Sequence, residues 1–208
     1  MQNETKYLYI KAIATQDFKE HYGENWQKII EKTIQDSSNI FEEEFAIKLI
    51  INTVEVQDCE HEYLPFSVFG YVNDLSSKED AKKHDIIIAF TNAPAFSDGS
   101  QEFYGQPTAL ATIFYKHKLI VLANPEKTRS WRGFYEWKYY KNIDWISLKF
   151  LLVHELGHFF KARDVKDKKS YMFERMLTSN TNLFDKTNKK IILKNKWINY
   201  DKSAILPK

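Results

Sequence analysis

The 208-residue sequence predicts a single α/β (α+β) domain on a twisted, five-stranded mixed sheet with one antiparallel edge strand. Three observations carry this expectation. Two β-branched segments, Tyr7–Ala14 and Ala46–Val56, flank a stretch with helical apolar spacing, the order of a parallel β-α-β unit. Asp85–Thr91 is a near-continuous apolar run bounded by turn formers, as in a strand buried on both faces. Thr108–Tyr115 and Leu119–Ala123 flank Lys116-His117-Lys118 like the arms of an antiparallel hairpin, which places one arm at a sheet edge.

Taken in order, Tyr7–Ala14 alternates only loosely, but its aromatic and β-branched content favours a strand. After the punctuation His21-Tyr22-Gly23, apolar residues at Trp26, Ile29, Ile30, Ile34 and Phe41 form one stripe of a long helix from about Glu24 to Glu44. With Ala46–Val56 as the second strand, a right-handed crossover follows. Phe66–Val72 reads as a short strand or packed loop, and Ser76–Asp80 carries a capping-box pattern for a short helix. Asn92–Pro107 holds two prolines and two glycines and is expected to be a long surface loop. Asn124–Asn142 is irregular and crowded with aromatic residues, from Trp131 to Tyr140. Asp144–Phe160 is rich in helix formers, with Asp144 as its expected N-cap. Lys186, Lys189, Lys190, Lys194 and Lys196 surround Ile191, Ile192, Leu193 and Trp197, as on the solvated face of a terminal helix docked by its apolar side. There are no internal repeats.

Composition narrows the function classes. Thirty basic and twenty-eight acidic side chains leave a net charge of +2, too balanced for a dedicated nucleic-acid binder. The lone Cys59 rules out an internal disulfide and paired-cysteine zinc fingers. No apolar run approaches the roughly 18 residues of a membrane span, and MQNETKYLYIK lacks the order of a signal peptide. The expectation is a soluble monomer, cytoplasmic by default, or secreted or at the cell envelope if Met1 replaces a removed leader.

Within the last long helix the sequence reads Val153-His154-Glu155-Leu156-Gly157-His158, an H-E-x-x-H motif. Positions i and i+4 lie on one helical face, so His154 and His158 present imidazoles at a spacing one zinc ion can bridge. Glu155, beside the first of them, can reach an activated water without itself ligating, which is the place of a general base. The string arises by chance in roughly one chain in a hundred of this length. A catalytic zinc takes three protein ligands, so a third must come from elsewhere. Asp164 lies ten residues after His154 and would point off the ligand face of a continuous helix; it qualifies if the chain turns after Phe160. The stretch Lys161–Lys169 loses the apolar stripe, as such a turn requires. Asp167 and Glu174 are alternative third ligands.

HELGHFFKARD followed by SYMF resembles the metzincin clan of zinc endopeptidases, whose pattern is H-E-x-x-H-x-x-G-x-x-[HD] and then a methionine-containing turn. The resemblance implies His154, His158 and Asp164 as ligands of one catalytic zinc, in the snapalysin-like version where aspartate is the third. It also implies that Met172 lies beneath the metal, and that the order of strands and helices before the motif is that of the clan. Lys161 stands where the clan has glycine for the sharp turn after the active-site helix, and a left-handed lysine there costs about 1 kcal/mol or more. Glu174, two residues beyond Met172, replaces the tyrosine of some members.

His61, His84 and His117 are candidates for a second metal site, but scattered single histidines read as ordinary surface or hydrogen-bonded residues. Trp131–Trp145, just before the active-site helix, suits either a substrate-pocket wall or a loop packed over the core. The expected function is a zinc-dependent endopeptidase, with residues 1–158 as an N-terminal subdomain and 159–208 as a C-terminal one. The rival readings are a zinc hydrolase of another amide and a degenerate binding module. Its partner would be a peptide or protein lying along the edge strand, at Ala109, Ala111 and Ile113, by strand addition.

Overall fold

The computed structural model describes residues 4–57, 83–92, 111–114, 118–123, 148–173 and 181–198. The segments Phe66–Val72 and Ser76–Asp80, most of the 92–107 loop and the aromatic stretch Trp131–Trp145 lie outside these residues, as do Cys59, His61, Ala109, His117, Asp144 and Glu174.

Strand β1 (Lys6–Thr15) runs through the middle of the sheet, pairing in parallel with β2 (Ile47–Gln57) on one side and β3 (Ile86–Thr91) on the other. Beyond β3 lies β5 (Leu119–Ala123), also parallel, and against it β4 (Ala111–Phe114) runs antiparallel. The order is β2-β1-β3-β5-β4. All six residues of β3 are buried, so its unbroken apolar run reflects cover on both faces rather than helix. In β1 the alternation becomes legible: Leu8, Ile10, Ala12 and Ala14 enter the main core, while Tyr7 and Tyr9 stay exposed on the other face. Ile10 faces Ile51 but Lys11 faces Thr53, so Asn52 is the extra residue of a β-bulge in β2.

The long helix expected from about Glu24 to Glu44 is present as one unbroken element starting two residues later, and a further short helix precedes it. A short helix α1 (Gln16–Tyr22) follows β1 directly, a 3-10 turn occupies Gly23–Asn25, and the long helix α2 starts only at Trp26 and runs to Phe45. Thus His21-Tyr22-Gly23 ends a helix instead of a loop. One apolar anchor, Phe18, holds α1 by packing on Tyr22 and Phe90 at ring distances of 4.7 and 5.7 Å, and a single anchor leaves no periodicity to read.

In α2 the buried residues Ile30, Thr33, Ile34, Ser37, Ser38, Phe41 and Phe45 make one stripe against the sheet and the helix that carries the motif. Ser37 and Ser38 keep that stripe close-packed: the Ser37 hydroxyl donates to the Thr33 carbonyl at 2.8 Å, and Ser38 Oγ accepts from Leu49 N–H at 3.0 Å. The motif helix, α3 (Leu148–Phe159), is buried on nearly every side. Phe41, Phe45, Phe160 and Phe184 pack their rings together between α2 and the last helix, α4 (Lys186–Asn195).

Candidate active site

Helix α3 presents His154 and His158 one turn apart, with ring centroids 4.6 Å from each other. Each imidazole is oriented by a backbone carbonyl. His154 Nδ1–H donates to Tyr171 O at 2.8 Å, and His158 Nδ1–H donates to Ala162 O at 3.0 Å. Fixing the Nδ1 protons in this way makes both Nε2 atoms lone-pair acceptors in the neutral rings. These two Nε2 atoms stand 3.0 Å apart. Two lone pairs at that distance repel each other unless a cation lies between them.

The third donor comes from the turn that ends α3. Lys161 adopts a left-handed conformation, φ 70°, so the lysine does what the sequence pattern reserves for glycine. Its N–H reaches His158 O at 2.8 Å and the next N–H, of Ala162, reaches Gly157 O at 3.0 Å, the two bonds of a Schellman cap. Reversal of the chain here turns the Ala162 carbonyl back onto His158 and brings Asp164 over the same face. Asp164 Oδ1 lies 3.4 Å from His154 Nε2 and 3.3 Å from His158 Nε2. Half of the Asp164 side chain is exposed, whereas the histidines are largely covered, which leaves the group open to solvent on one side.

This donor set fits zinc. A tetrahedral ion with donors about 2.0–2.1 Å away separates them by about 3.3–3.4 Å, close to the three distances found. Among the described residues, His154, His158 and Asp164 are the cluster of three histidine or acidic side chains whose ligating atoms converge, all within 4.8 Å. Asp167, the alternative within the described residues, instead caps its own turn, its Oδ1 accepting from Lys169 N–H at 3.0 Å. Glu174 lies outside the described residues.

Glu155 sits on the same helix but faces inward, only 6% exposed. Burial, aided by the negative Asp164, pushes its carboxyl up to about 8. The opposite happens at His154: burial and the neighbouring His158 draw it down to about 4, against smaller opposing effects of Tyr171 O and Asp164, so the ring stays neutral at physiological pH. Met172, fully buried, lies against the motif helix at Gly157, where a Cβ would come within 2.3 Å of its Sδ. Ala111 and Ile113 fall in β4, at the end of the sheet order, opposite Leu122 and Ile120 of β5. His84 lies just before β3, outside this cluster.

Sequence reasoning missed the support behind the site. Asp185, the N-cap of α4, accepts from the backbone N–H groups of Thr187 and Asn188 and from the side chains of Asn188 and Ser170. Burial pushes the Asp185 carboxyl up, but these hydrogen bonds outweigh it and hold the group below its ordinary value. Ser170 Oγ in turn accepts from Met172 N–H at 3.1 Å, and Asn188 pairs with the Arg163 peptide beside Asp164. The signal was present as Asp185-Lys186-Thr187-Asn188, an N-cap residue opening the basic helix.

A family model, metallo-peptidase family M12 of the reprolysin type, matches residues 3–182. No curated protein sequence matches the chain. Among solved structures, the chain resembles one described as a chaperone-substrate complex, with a TM-score of 0.57 at 9% identity over 92% of this chain and 34% of that one. Archaemetzincin from Methanopyrus kandleri matches with a TM-score of 0.55 at 13% identity, over 91% of this chain and 96% of the other. Metalloproteinase-II from Bacteroides fragilis gives 0.51 at 15% identity, over 92% and 54%. The chain therefore spans about a third of the first of these structures and about half of the third. These likenesses carry the fold, and the family match extends across the strands, the H-E-x-x-H helix and the turn holding Asp164: the chain belongs to metallo-peptidase family M12.

Proposed function

We propose that this chain is a zinc-dependent endopeptidase of the metzincin type, with His154, His158 and Asp164 holding one catalytic zinc and Glu155 as general base. The observation that carries the reading is the pair of Nε2 lone pairs held 3.0 Å apart by Nδ1–carbonyl bonds, with a carboxylate oxygen completing the triangle. Such an arrangement is unfavourable alone and is satisfied by a divalent cation. When bound, zinc supplies Lewis acidity, lowering the pKa of water toward 7 and polarising a carbonyl oxygen.

The chain's own residues supply the remainder. Glu155 takes a proton from the attacking water and returns it to the leaving amine. Its place beside His154 on the same helix suits this role, because a divalent cation at the cluster favours the ionised carboxylate that burial alone disfavours. Tyr171 O and Ala162 O keep both imidazoles in the tautomer that carries its proton on Nδ1 and its lone pair on Nε2. Met172 forms the apolar floor under the site, in the manner of the clan's methionine turn. A peptide would lie extended along β4, at Ala111 and Ile113, adding main-chain hydrogen bonds to the sheet edge; Ala109, expected to take part, lies outside the described residues. In this reading residues 1–158 supply the sheet and active-site helix, and 159–208 supply the third ligand and the terminal helix.

The test is metal stoichiometry beside cleavage of an unstructured protein, with and without chelator. One zinc per chain, weakened by Asp164→Ala, with chelator-sensitive cleavage is expected. Zinc unaffected by losing Asp164 would move the third ligand to Asp167 or Glu174. Glu155→Gln should abolish hydrolysis while sparing zinc, and turnover retained by that variant would refute the role of base.

A further inference from the structure

The carboxylate in the cluster is the member least secured by its own surroundings. His154 and His158 are fixed by helix α3 and by carbonyl partners, whereas Asp164 is half exposed and rides on a turn opened by a left-handed lysine. Something must hold that turn in place if Asp164 Oδ1 is to stay 3.3–3.4 Å from both imidazoles.

The hold comes from α4, twenty-five residues along the chain. Asn188 is almost completely buried, and both ends of its carboxamide engage one residue, Arg163. Arg163 N–H donates to Asn188 Oδ1 at 2.8 Å, and Asn188 Nδ2 donates to Arg163 O at 2.8 Å. The pair copies the two-point bonding of a β-ladder with a side chain in place of a strand, and it fixes both peptide groups flanking the Arg163 Cα. The peptide formed by the second of these, Arg163 C=O, is the one that leads into Asp164. Asn188 is itself locked: its second Nδ2 hydrogen and its backbone N–H both go to Asp185, at 2.8 and 3.0 Å. Asp185 also accepts from Ser170 Oγ at 3.0 Å, which ties the same helix turn to the segment whose Tyr171 carbonyl orients His154.

We infer that Asn188 is a positioning residue for the metal site, clamping the Arg163 peptide so that Asp164 meets the two imidazoles. This rests on the zinc-site reading of His154, His158 and Asp164. The clamp makes no contact with the donor atoms and acts only through Asp164. Outer partners of this kind typically change metal affinity 10–100-fold when removed. Asn188 also packs in the first turn of a helix, so loss of affinity alone would not separate positioning from a general structural role.

A double-mutant cycle on metal affinity separates them. Zinc affinity is measured by competition with a chromophoric chelator for the full chain, Asn188→Ala, Asp164→Ala and the double variant, with far-UV circular dichroism and metal-free melting as folding controls. Asn188→Ala should weaken zinc 10–100-fold in the parent and by less than about twofold in the Asp164→Ala background. Cobalt(II) absorption gives a second signature: the Asn188→Ala spectrum should move toward that of Asp164→Ala. Equal losses in both backgrounds, or unchanged affinity in the parent, would overturn the proposal. If Asn188→Ala does not fold, Asn188→Ser, which also cannot span to both Arg163 groups, takes its place with the same expectations. A parent chain that binds neither zinc nor cobalt refutes the zinc-site reading and the clamp with it. A parent that binds zinc regardless of Asp164 removes the residue through which Asn188 acts.

Discussion

At the scale of single residues, the motif glycine is constrained by what packs on it rather than by backbone freedom. A methyl group at 157 would sit 2.3 Å from Met172 Sδ and 3.2 Å from its Cε, with Phe184 Cε1 at 3.5 Å behind. Met172 is fully buried and cannot swing into solvent. Gly157→Ala should therefore force the thioether to repack, costing about 1–3 kcal/mol, of which about 1 kcal/mol is returned by alanine's higher helix propensity, for a net loss of up to about 2 kcal/mol. Urea unfolding of the metal-free chain tests this, and a midpoint raised by about the helix-propensity difference would show that the methionine yields freely. His154, Glu155 and His158 were legible in the sequence because a helix fixes their relation within five residues. Asp164 was legible only conditionally, since its placement depends on where α3 stops. Asn188 and Asp185 were not legible as site residues, because their partners, Arg163 and Ser170, lie fifteen to twenty-five residues away and side-chain to backbone pairing leaves no period.

At the scale of elements, two helices end on residues that carry a Cβ where the backbone is left-handed. Ala46 closes α2 at φ 51° and Lys161 closes α3 at φ 70°. Each has good hydrogen-bonding reason to be there: Ala46 N–H reaches Glu42 O at 2.9 Å, and the Lys161 turn makes both Schellman bonds. The conformation itself costs roughly 1–2 kcal/mol for a residue with a Cβ, partly offset because glycine loses more freedom on folding. Lys161→Gly should accordingly stabilise the metal-free chain by about 0.5–1 kcal/mol and leave zinc affinity within about twofold. Denaturant midpoints and chelator competition read the two effects. Destabilisation would mean that the lysine side chain contributes more than its backbone costs. The parallel strands were legible because all of β3 and Leu119–Leu122 of β5 are buried, whereas α1 was missed because its seven residues carry one buried anchor.

At the scale of the whole molecule, the site couples stability to both metal and pH. Zinc at about 1,000 times its dissociation constant should stabilise the fold by about 4 kcal/mol over the chelated protein, provided the unfolded chain binds none. The pH response of the chelated protein follows from two groups shifted in opposite directions. His154 is drawn from 6.5 to about 4, so between those values the unfolded chain holds the extra proton and stability falls as pH falls. Glu155 is pushed from 4.5 to about 8, so between those values the folded chain holds the extra proton and stability falls as pH rises. From about pH 4.5 to 6.5 the two slopes cancel. Above 6.5 only Glu155 acts, and 1.5 pH units at about 1.4 kcal/mol each remove about 2 kcal/mol by pH 8. Glu155→Gln has no proton to lose and should show no such decline. Urea unfolding of both proteins in chelator at pH 6.5 and 8 measures the difference directly: about 2 kcal/mol is expected, and parallel pH profiles would mean that the Glu155 carboxyl ionises in the folded chain as readily as in the unfolded one.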